Sequence, residues 1–253
     1  MTTPRVFIIR HGETEWSLNG RHTGTSDIPL TANGEKRIRA TGRALVGQDR
    51  LIVPRNLAHI YVSPRKRAQR TVELLDLGCE LPWQAHGDCS ARERDDGEIV
   101  KTNAKIEITN AVCEWDYGDY EGVTSKEIQE QRKNDGLPEW DIWRDGCPGG
   151  ESPQQITDRL DKLIGEIRQR FHAHAIGKPK GSVKDPFDVL VVAHGHILRA
   201  FAGRWVNKDI ANNPSLILEA GGVGTLSYEH HKLNEPAILL GGAFMSDVVE
   251  QEK

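Results

Sequence analysis

The amino-acid sequence predicts an α/β fold, in which helices cover both faces of a mostly parallel sheet as a three-layer α/β/α sandwich. Three apolar runs support this prediction, at residues 6–9, 57–62 and 188–193, because each is short and lacks polar alternation. Runs of that kind are typical of strands that are covered on both faces. We therefore expect one domain over residues 1–245, followed by a disordered acidic tail over 246–253.

The segments between these runs supply the helices that such a sandwich needs. Polar and glycine residues predict a loop over 15–30, and apolar residues at the helical period predict a core-facing helix from Ser152 to Phe171. A polar, charge-rich excursion without periodicity occupies 87–105. The other predicted elements are helices over 31–46, 124–134 and 197–206, a loop with large apolar anchors over 140–150, and strands over 106–109, 222–228 and 237–240.

The composition is that of a folded protein, with 37% hydrophobic and 28% charged residues. A net charge of −4 gives no electrostatic reason to expect binding to nucleic acid or to an anionic membrane. No apolar run approaches the ~18 residues of a membrane span, and the first strand follows the start too closely for a signal peptide. The 4 cysteines lack zinc-ligand spacing and predict free thiols in a reducing compartment, the cytoplasm, with the nucleus left open.

The second strand runs directly into Ser63-Pro64-Arg65, which has the pattern of a helix start. Serine is a favoured N-cap and proline is favoured at the first helical position, so a helix is expected from Pro64 to Leu75 with Arg65 in its first turn. A helix N-terminus that follows a strand is suited to bind an anion. The alternative is a capped surface helix with an exposed arginine.

Residues 113–122 crowd acidic and aromatic side chains together, with Glu114 near the start of the segment. A carboxyl group that packs beside aromatic rings is partly desolvated, which suits it to act as a general acid. The alternative is a polar turn with aromatic anchors.

Three strands end at residues that are suited to phosphate chemistry, namely Arg10-His11, Ser63 with Arg65, and His194. Parallel strands bring their carboxyl ends to one edge of the sheet, where α/β proteins bind ligands. The two arginines can hold a phosphoryl group through charge-assisted hydrogen bonds, and a neutral imidazole is a competent nucleophile. One such ending could be a strand followed by a solvated basic turn, but three coinciding endings favour a phosphoryl-transfer site.

A metal site is the main alternative for His194-Gly195-His196. Two arginines at the same edge would repel a cation, and no carboxylate cluster is paired with these histidines, so we expect no metal and no other cofactor. Neither glycine-rich nucleotide-binding pattern is present in the sequence.

Arg10-His11-Gly12-Glu13-Thr14 resembles the Arg-His-Gly signature of the histidine phosphatase superfamily, which includes the cofactor-dependent phosphoglycerate mutases. Residues 63–71 resemble its second motif, and Glu114 and residues 193–196 resemble its acid and second-histidine motifs. The resemblance covers most of the chain and implies the phosphoglycerate mutase-like fold. It also implies a set of catalytic roles: transient phosphorylation of His11, phosphoryl binding by Arg10, Arg65 and His194, and protonation of the leaving oxygen by Glu114.

Within that superfamily, residues 114–122, 142–147, 194–199 and 221–231 resemble the fungal sedoheptulose-bisphosphatase branch. The resemblance implies metal-independent hydrolysis of a sugar bisphosphate, most specifically sedoheptulose 1,7-bisphosphate, to sedoheptulose 7-phosphate. One departure is His22, which stands where a tyrosine is expected. The implied substrate-binding residues are His22, Thr23, Gly24, Ser63, Tyr117, Arg199, His230 and His231.

Two other enzyme functions stay open, a phosphoglycerate mutase and a broad-specificity sugar-phosphate phosphatase. The mutases carry Glu-Arg-His-Tyr-Gly where this chain has Glu114-Trp115-Asp116-Tyr117-Gly118, so a basic contact to a substrate carboxylate is lost. A catalytically silent binding protein is disfavoured because the whole catalytic set is present. The expected partner is a small phosphorylated sugar, without nucleic acid or membrane, and a homo-oligomer is left open.

Overall fold

The computed structural model describes residues 1–83, 92–93, 99–212 and 215–240. Eight strands lie in this part of the chain. They are β1 (Val6–Arg10), β2 (Leu57–Val62), β3 (Arg92–Glu93), β4 (Ile99–Val100), β5 (Lys105–Ile108), β6 (Asp188–Ala193), β7 (Val223–Tyr228) and β8 (Pro236–Leu239).

Six of these strands form one mixed sheet in the order β5-β2-β6-β1-β7-β8. Strands β5, β2, β6 and β1 pair in parallel, whereas β7 and β8 are antiparallel additions at one side. The predicted α/β fold with a mostly parallel sheet is therefore confirmed, and β7 is the strand that reverses direction beside β1.

The helices form one layer on each face of this sheet. In β1, Val6 and Ile8 pack into the core on one face while Phe7 and Ile9 pack into the core on the other. A strand whose successive side chains point to opposite faces must be apolar throughout when both faces are covered, which explains the unbroken apolar runs.

Seven α-helices connect the described strands. They are α1 (Glu15–Asn19), α2 (Ala32–Leu45), α3 (Lys66–Leu75), α4 (Ser125–Asn134), α5 (Ile142–Asp145), α6 (Pro153–Ile167) and α7 (Gly195–Trp205). Helices α2 and α3 supply the core on one face, and α6 and α7 supply it on the other. The helices predicted from Thr124 and Ser152 begin there, and each is started by a capping box.

Three predictions of local structure are wrong. The expected loops over 15–30 and 140–150 each contain a short helix, α1 and α5. Helix α3 begins at Lys66 rather than Pro64, and Arg65 rather than Ser63 is the N-cap residue. The Ser63 hydroxyl accepts from the backbone N–H of Arg65 at 3.4 Å and also lies 2.7 Å from the imidazole of His194, so it serves both the turn before α3 and the second histidine.

The predicted excursion over 87–105 lies partly outside the described residues. Its described portion includes β3 and β4, which pair as a two-stranded antiparallel ladder. The predicted tail over 246–253 lies outside the described residues altogether. No helix among the described residues is both long and apolar enough to cross a membrane.

Candidate active site

The register of the sheet brings the predicted strand ends together. Arg10 pairs with Ala193 across β1 and β6, so the next residue on each strand is a histidine. The rings of His11 and His194 have centroids 5.1 Å apart. Strand β2 lies on the other side of β6 and adds Ser63. All three predicted strand ends therefore meet at one edge of the sheet.

His11 is held as a neutral imidazole with one nitrogen available. Its Nδ1 lies 2.7 Å from the carbonyl oxygen of Gly12, and since a carbonyl only accepts, Nδ1 carries the proton. Burial lowers the pKa of His11 well below its ordinary value, and the positive charges of Arg67 and Arg10 lower that pKa further. Nε2, which carries the free lone pair, is therefore the nucleophilic atom of this side chain.

His194 is oriented by hydrogen bonds at both ring nitrogens. Arg67 Nε donates to His194 Nδ1 at 3.1 Å, so the proton is on Nε2, which donates to Ser63 Oγ at 2.7 Å. Burial, followed by Arg67, lowers the pKa of His194 well below its ordinary value. The hydroxyl hydrogen of Ser63 is then free to be donated to a ligand. His194 therefore orients Ser63 as a hydrogen-bond donor.

Arg67 is the arginine that the sequence interpretation missed when it named Arg65. Its side chain is fully buried, although it carries a charge. Besides His194, it donates to the carbonyl oxygens of Ser26 at 2.7 Å and Thr23 at 2.9 Å. A signal in the sequence could have found it, because Arg67 shares the buried face of α3 with Ala68 and Thr71.

The other two predicted arginines lie at the same edge. Arg10 Nη1 donates to the carbonyl oxygen of Leu218 at 2.9 Å. Its guanidinium packs over Gly195, where a Cβ atom would lie 3.3 Å from Arg10 Cζ. The Nε atoms of Arg10 and Arg65 are buried without a partner among the described residues. Buried donors of this kind are expected to be satisfied by a bound anion.

Glu114 is fixed at the start of α7 by backbone donors. Its Oε1 accepts from the N–H groups of Trp115 at 3.0 Å and Ile197 at 2.9 Å, and its Oε2 accepts from His196 at 3.0 Å. Each carboxylate oxygen has two lone-pair sites, so Oε2 keeps one site for a proton. The geometry thus fixes the carboxyl group and leaves one position for acid chemistry.

Comparison with known proteins shows the family of this chain. The sequence profile of the histidine phosphatase superfamily (branch 1) matches residues 6–102 and 89–237. A sedoheptulose 1,7-bisphosphatase of Saccharomyces cerevisiae is 35% identical to the chain, over 99% of this chain and 97% of the yeast protein. The chain belongs to the histidine phosphatase superfamily. An acid phosphatase of Mycobacterium tuberculosis is 31% identical to this histidine phosphatase, over 89% of this chain and 87% of its own length.

Solved structures show the same fold as this histidine phosphatase. The product of a Mycobacterium tuberculosis open reading frame has a TM-score of 0.64 and 26% identity, over 94% of this chain and 96% of its own. A mycobacterial glucosyl-3-phosphoglycerate phosphatase has a TM-score of 0.63 and 21% identity, over 94% and 97% of the two chains. The predicted phosphoglycerate mutase-like fold is confirmed.

Two of the residues predicted to bind substrate, His22 and Tyr117, belong to a group of rings in contact. The buried hydroxyl of Tyr117 lies 2.7 Å from His196 Nδ1, and burial raises the pKa of Tyr117, so the hydroxyl keeps its proton. The His22 ring lies 4.7 Å from the Tyr117 ring, measured between centroids. Burial lowers the pKa of His22 to about 4, so His22 is neutral at pH 7. Tyr117 therefore contacts both His196 and His22 and supports their rings.

The predicted contacts at Thr23 and Gly24 lie in a loop that is fixed from two sides. Arg67 holds the carbonyl oxygen of Thr23, and Glu121 accepts from the backbone N–H of Gly24 at 2.9 Å. A Cβ atom at Gly24 would lie 2.3 Å from the Trp115 carbonyl oxygen, so only glycine fits. Glu121 is a second residue that the sequence interpretation missed.

Arg199 lies on α7 one turn beyond the second histidine motif. Its Nε donates to the carbonyl oxygen of Gly195 at 3.1 Å, and its guanidinium lies 5.2 Å from the centroid of the Trp143 ring. It is a cation beside Glu114, displaced along the helix from His11.

The predicted substrate contacts of His230 and His231 are wrong. Strand β7 runs antiparallel to β1, so residues after its end lie at the amino edge of the sheet, opposite His11. There His231 hydrogen bonds to Thr3, and His230 forms an ion pair with Glu235 at 2.7 Å. The prediction came from the family resemblance alone, which did not include the direction of β7.

Proposed function

We propose that this histidine phosphatase hydrolyses a sugar bisphosphate, most specifically sedoheptulose 1,7-bisphosphate to sedoheptulose 7-phosphate. The observation that carries the proposal is the neutral His11, with its free Nε2 atom, surrounded by arginines. The name of the 35% identical yeast relative supports the choice of sugar.

In the proposed first step, His11 Nε2 attacks the phosphorus atom and the bond between phosphorus and the sugar oxygen breaks. Arg10, Arg65 and Arg67 donate to the phosphoryl oxygens, and so does the Ser63 hydroxyl, which His194 orients. Glu114 gives the proton on Oε2 to the departing sugar oxygen.

In the second step, a water molecule attacks the phosphorus atom of phosphohistidine and the phosphorus–nitrogen bond breaks. The carboxylate of Glu114 accepts the proton of this water and is ready for the next cycle. Inorganic phosphate then leaves, and His11 is again neutral with the proton on Nδ1. No step requires a metal ion.

The far phosphate of the bisphosphate needs a second cation, and Arg199 is the proposed one. Burial lowers the pKa of Arg199, but arginine stays charged at pH 7. The guanidinium stacks on Trp143, which holds its plane in place.

One observation disfavours a phosphoglycerate mutase. Trp115 is fully buried, and its indole N–H donates to the carbonyl oxygen of Glu151 at 2.8 Å. It therefore offers no contact to a substrate carboxylate. A broad-specificity phosphatase is the remaining alternative, and the 31% identical acid phosphatase of Mycobacterium tuberculosis favours it.

The test is phosphate release in buffer with a chelator. The substrates are sedoheptulose 1,7-bisphosphate, fructose 1,6-bisphosphate, sugar monophosphates and 3-phosphoglycerate. We expect the highest kcat/KM with the seven-carbon bisphosphate. Equal values for all sugar phosphates would replace the proposal with a broad-specificity phosphatase, and interconversion of 2- and 3-phosphoglycerate would replace it with a mutase.

A further inference from the structure

A cavity of about 450 Å³ lies beside the active site. Its buried part is lined by the rings of His22 and Trp140, and its exposed part by Glu139, Asp141 and Arg144. This volume is in the range of small-molecule sites, which begin at roughly 300 Å³.

His196 connects the cavity to the catalytic groups. Its side chain lines the cavity, and its backbone N–H donates to Glu114 Oε2 at 3.0 Å. A substrate whose leaving oxygen is near Glu114 would therefore place the next atoms of its alcohol part at the entrance of this cavity.

The cavity wall is fixed before any ligand binds. The Gln129 amide donates to the carbonyl oxygen of Trp140 at 2.8 Å and accepts from its N–H at 2.9 Å. The Trp140 indole donates to the carbonyl oxygen of Gly146 at 2.8 Å. Such preorganisation lowers the entropy cost of ligand binding.

The charge of the lining is unfavourable for a phosphate. Glu139 and Asp141 are anionic, and the guanidinium of Arg144 is held by both carboxylate oxygens of Asp145, at 2.7 and 2.9 Å. His22 adds no positive charge at pH 7, because its pKa is about 4. His196 adds none either, since burial lowers its pKa well below the ordinary value.

The same lining is suited to hydroxyl groups. Carboxylates accept hydrogen bonds from sugar hydroxyls, and Ser125, next to His22 Nε2 at 3.2 Å, both donates and accepts. Asp141 uses Oδ1 to accept from the Trp143 N–H, which leaves Oδ2 for a ligand. The rings of His22 and Trp140 provide flat apolar faces for the carbon skeleton.

We infer that this cavity binds the hydroxylated carbons of the substrate's alcohol part through Asp141 and Glu139, and that these carboxylates exclude a phosphate from it. The inference rests on the proposed function and extends it. It assigns different places to the sugar carbons and to the second phosphate, which must then lie outside the cavity, beside the proposed Arg199.

The test uses Asp141→Asn and Glu139→Gln, which remove one negative charge each. Asparagine is also a good N-cap, so α5 is expected to stay intact in Asp141→Asn. With fructose 1-phosphate and fructose 1,6-bisphosphate, we expect KM to rise about tenfold, the effect of one charge-assisted hydrogen bond, at unchanged kcat. KM for p-nitrophenyl phosphate, which lacks sugar hydroxyls, should not change.

Glu130→Gln is the matched control, since it removes an exposed carboxylate of α4 that lies outside the cavity lining. A lower KM for the bisphosphate in Asp141→Asn would overturn the inference, because it would mean that the cavity receives the second phosphate. Unchanged KM values for both sugar phosphates would also overturn it.

Inhibition of p-nitrophenyl phosphate hydrolysis by the same two sugar phosphates separates this inference from the proposed function. If the protein binds but does not hydrolyse them, and Asp141→Asn weakens their inhibition, the proposed function fails and the cavity assignment stands. If neither compound inhibits the wild-type protein, the cavity assignment fails as well.

Discussion

Both edges of the sheet bury a histidine beside an arginine, yet only one edge has the chemistry of a site. At the carboxyl edge, His11 and His194 lie among Arg10, Arg65 and Arg67. At the amino edge, His172 lies against Tyr228 and Arg168. In all three histidines, burial is the main cause of a lowered pKa. A shifted pKa alone therefore does not mark the site.

The difference is in how the charges are balanced. At the amino edge, Arg5 pairs with the buried Asp188 at 2.8 Å, and the guanidinium of Arg168 stacks on Trp205. At the carboxyl edge, the three arginines lie near two carboxylates, Glu114 and Asp27, and Glu114 is bound by backbone N–H groups rather than by an arginine. The excess of positive charge, rather than the buried histidine, indicates an anion-binding site.

The largest expected effect comes from replacing one histidine at each edge by alanine, in separate variants. His11→Ala should lower kcat for p-nitrophenyl phosphate on the order of 10⁴-fold or more, because the nucleophile is lost. Acid-labile phosphate on the protein should disappear in the same variant. His230→Ala, at the amino edge, is the control and should keep wild-type kcat. Near-normal turnover by His11→Ala would disprove the phosphohistidine intermediate.

The next effect compares two arginines of the carboxyl edge. Arg67→Lys keeps the charge but loses the planar donors that hold His194, Ser26 and Thr23. We expect kcat/KM to fall about 100-fold, and less than about tenfold in Arg65→Lys, whose guanidinium touches no catalytic histidine. Circular dichroism and thermal melting establish that both variants are folded. The reverse order of effects would restore Arg65 as the principal phosphate ligand.

The fold could be predicted because it depends on patterns that are local in the sequence. The boundaries of β2 and β6 agree with the apolar runs, and the helices α4 and α6 begin after Thr124 and Ser152 as expected. The short helices α1 and α5 were not predicted, since helices of that length carry no periodicity.

Only the site residues that directly follow a strand could be placed from the sequence. His11 and His194 follow paired residues of adjacent parallel strands, so sequence order was sufficient. Arg67 was not predicted, because its contact with His194 joins residues 127 positions apart in the sequence. The positions of His230 and His231 needed the direction of β7, which no pattern in a single strand specifies.

The smallest expected effect concerns stability rather than catalysis, at the amino edge. Burial lowers the pKa of His172 to about 3, whereas an unfolded histidine has a pKa near 6.5. As the pH falls below about 6.5, the unfolded chain gains a proton on His172 that the folded chain does not take up until about pH 3. The free energy of unfolding therefore decreases on this account as the solution becomes more acidic, by about 2 kcal/mol between pH 7 and pH 5.

Replacing His172 by glutamine removes this contribution to the pH dependence of the free energy of unfolding. It also keeps an acceptor for the Tyr228 hydroxyl, which lies 2.7 Å from His172 Nδ1 in the wild type. Urea unfolding at pH 7 and pH 5 should show a smaller loss of stability in His172→Gln than in the wild type. The other buried histidines contribute equally to both proteins and cancel in the difference. An identical pH dependence in the two proteins would contradict the lowered pKa, and a loss of kcat at pH 7 would show that the amino edge takes part in catalysis after all.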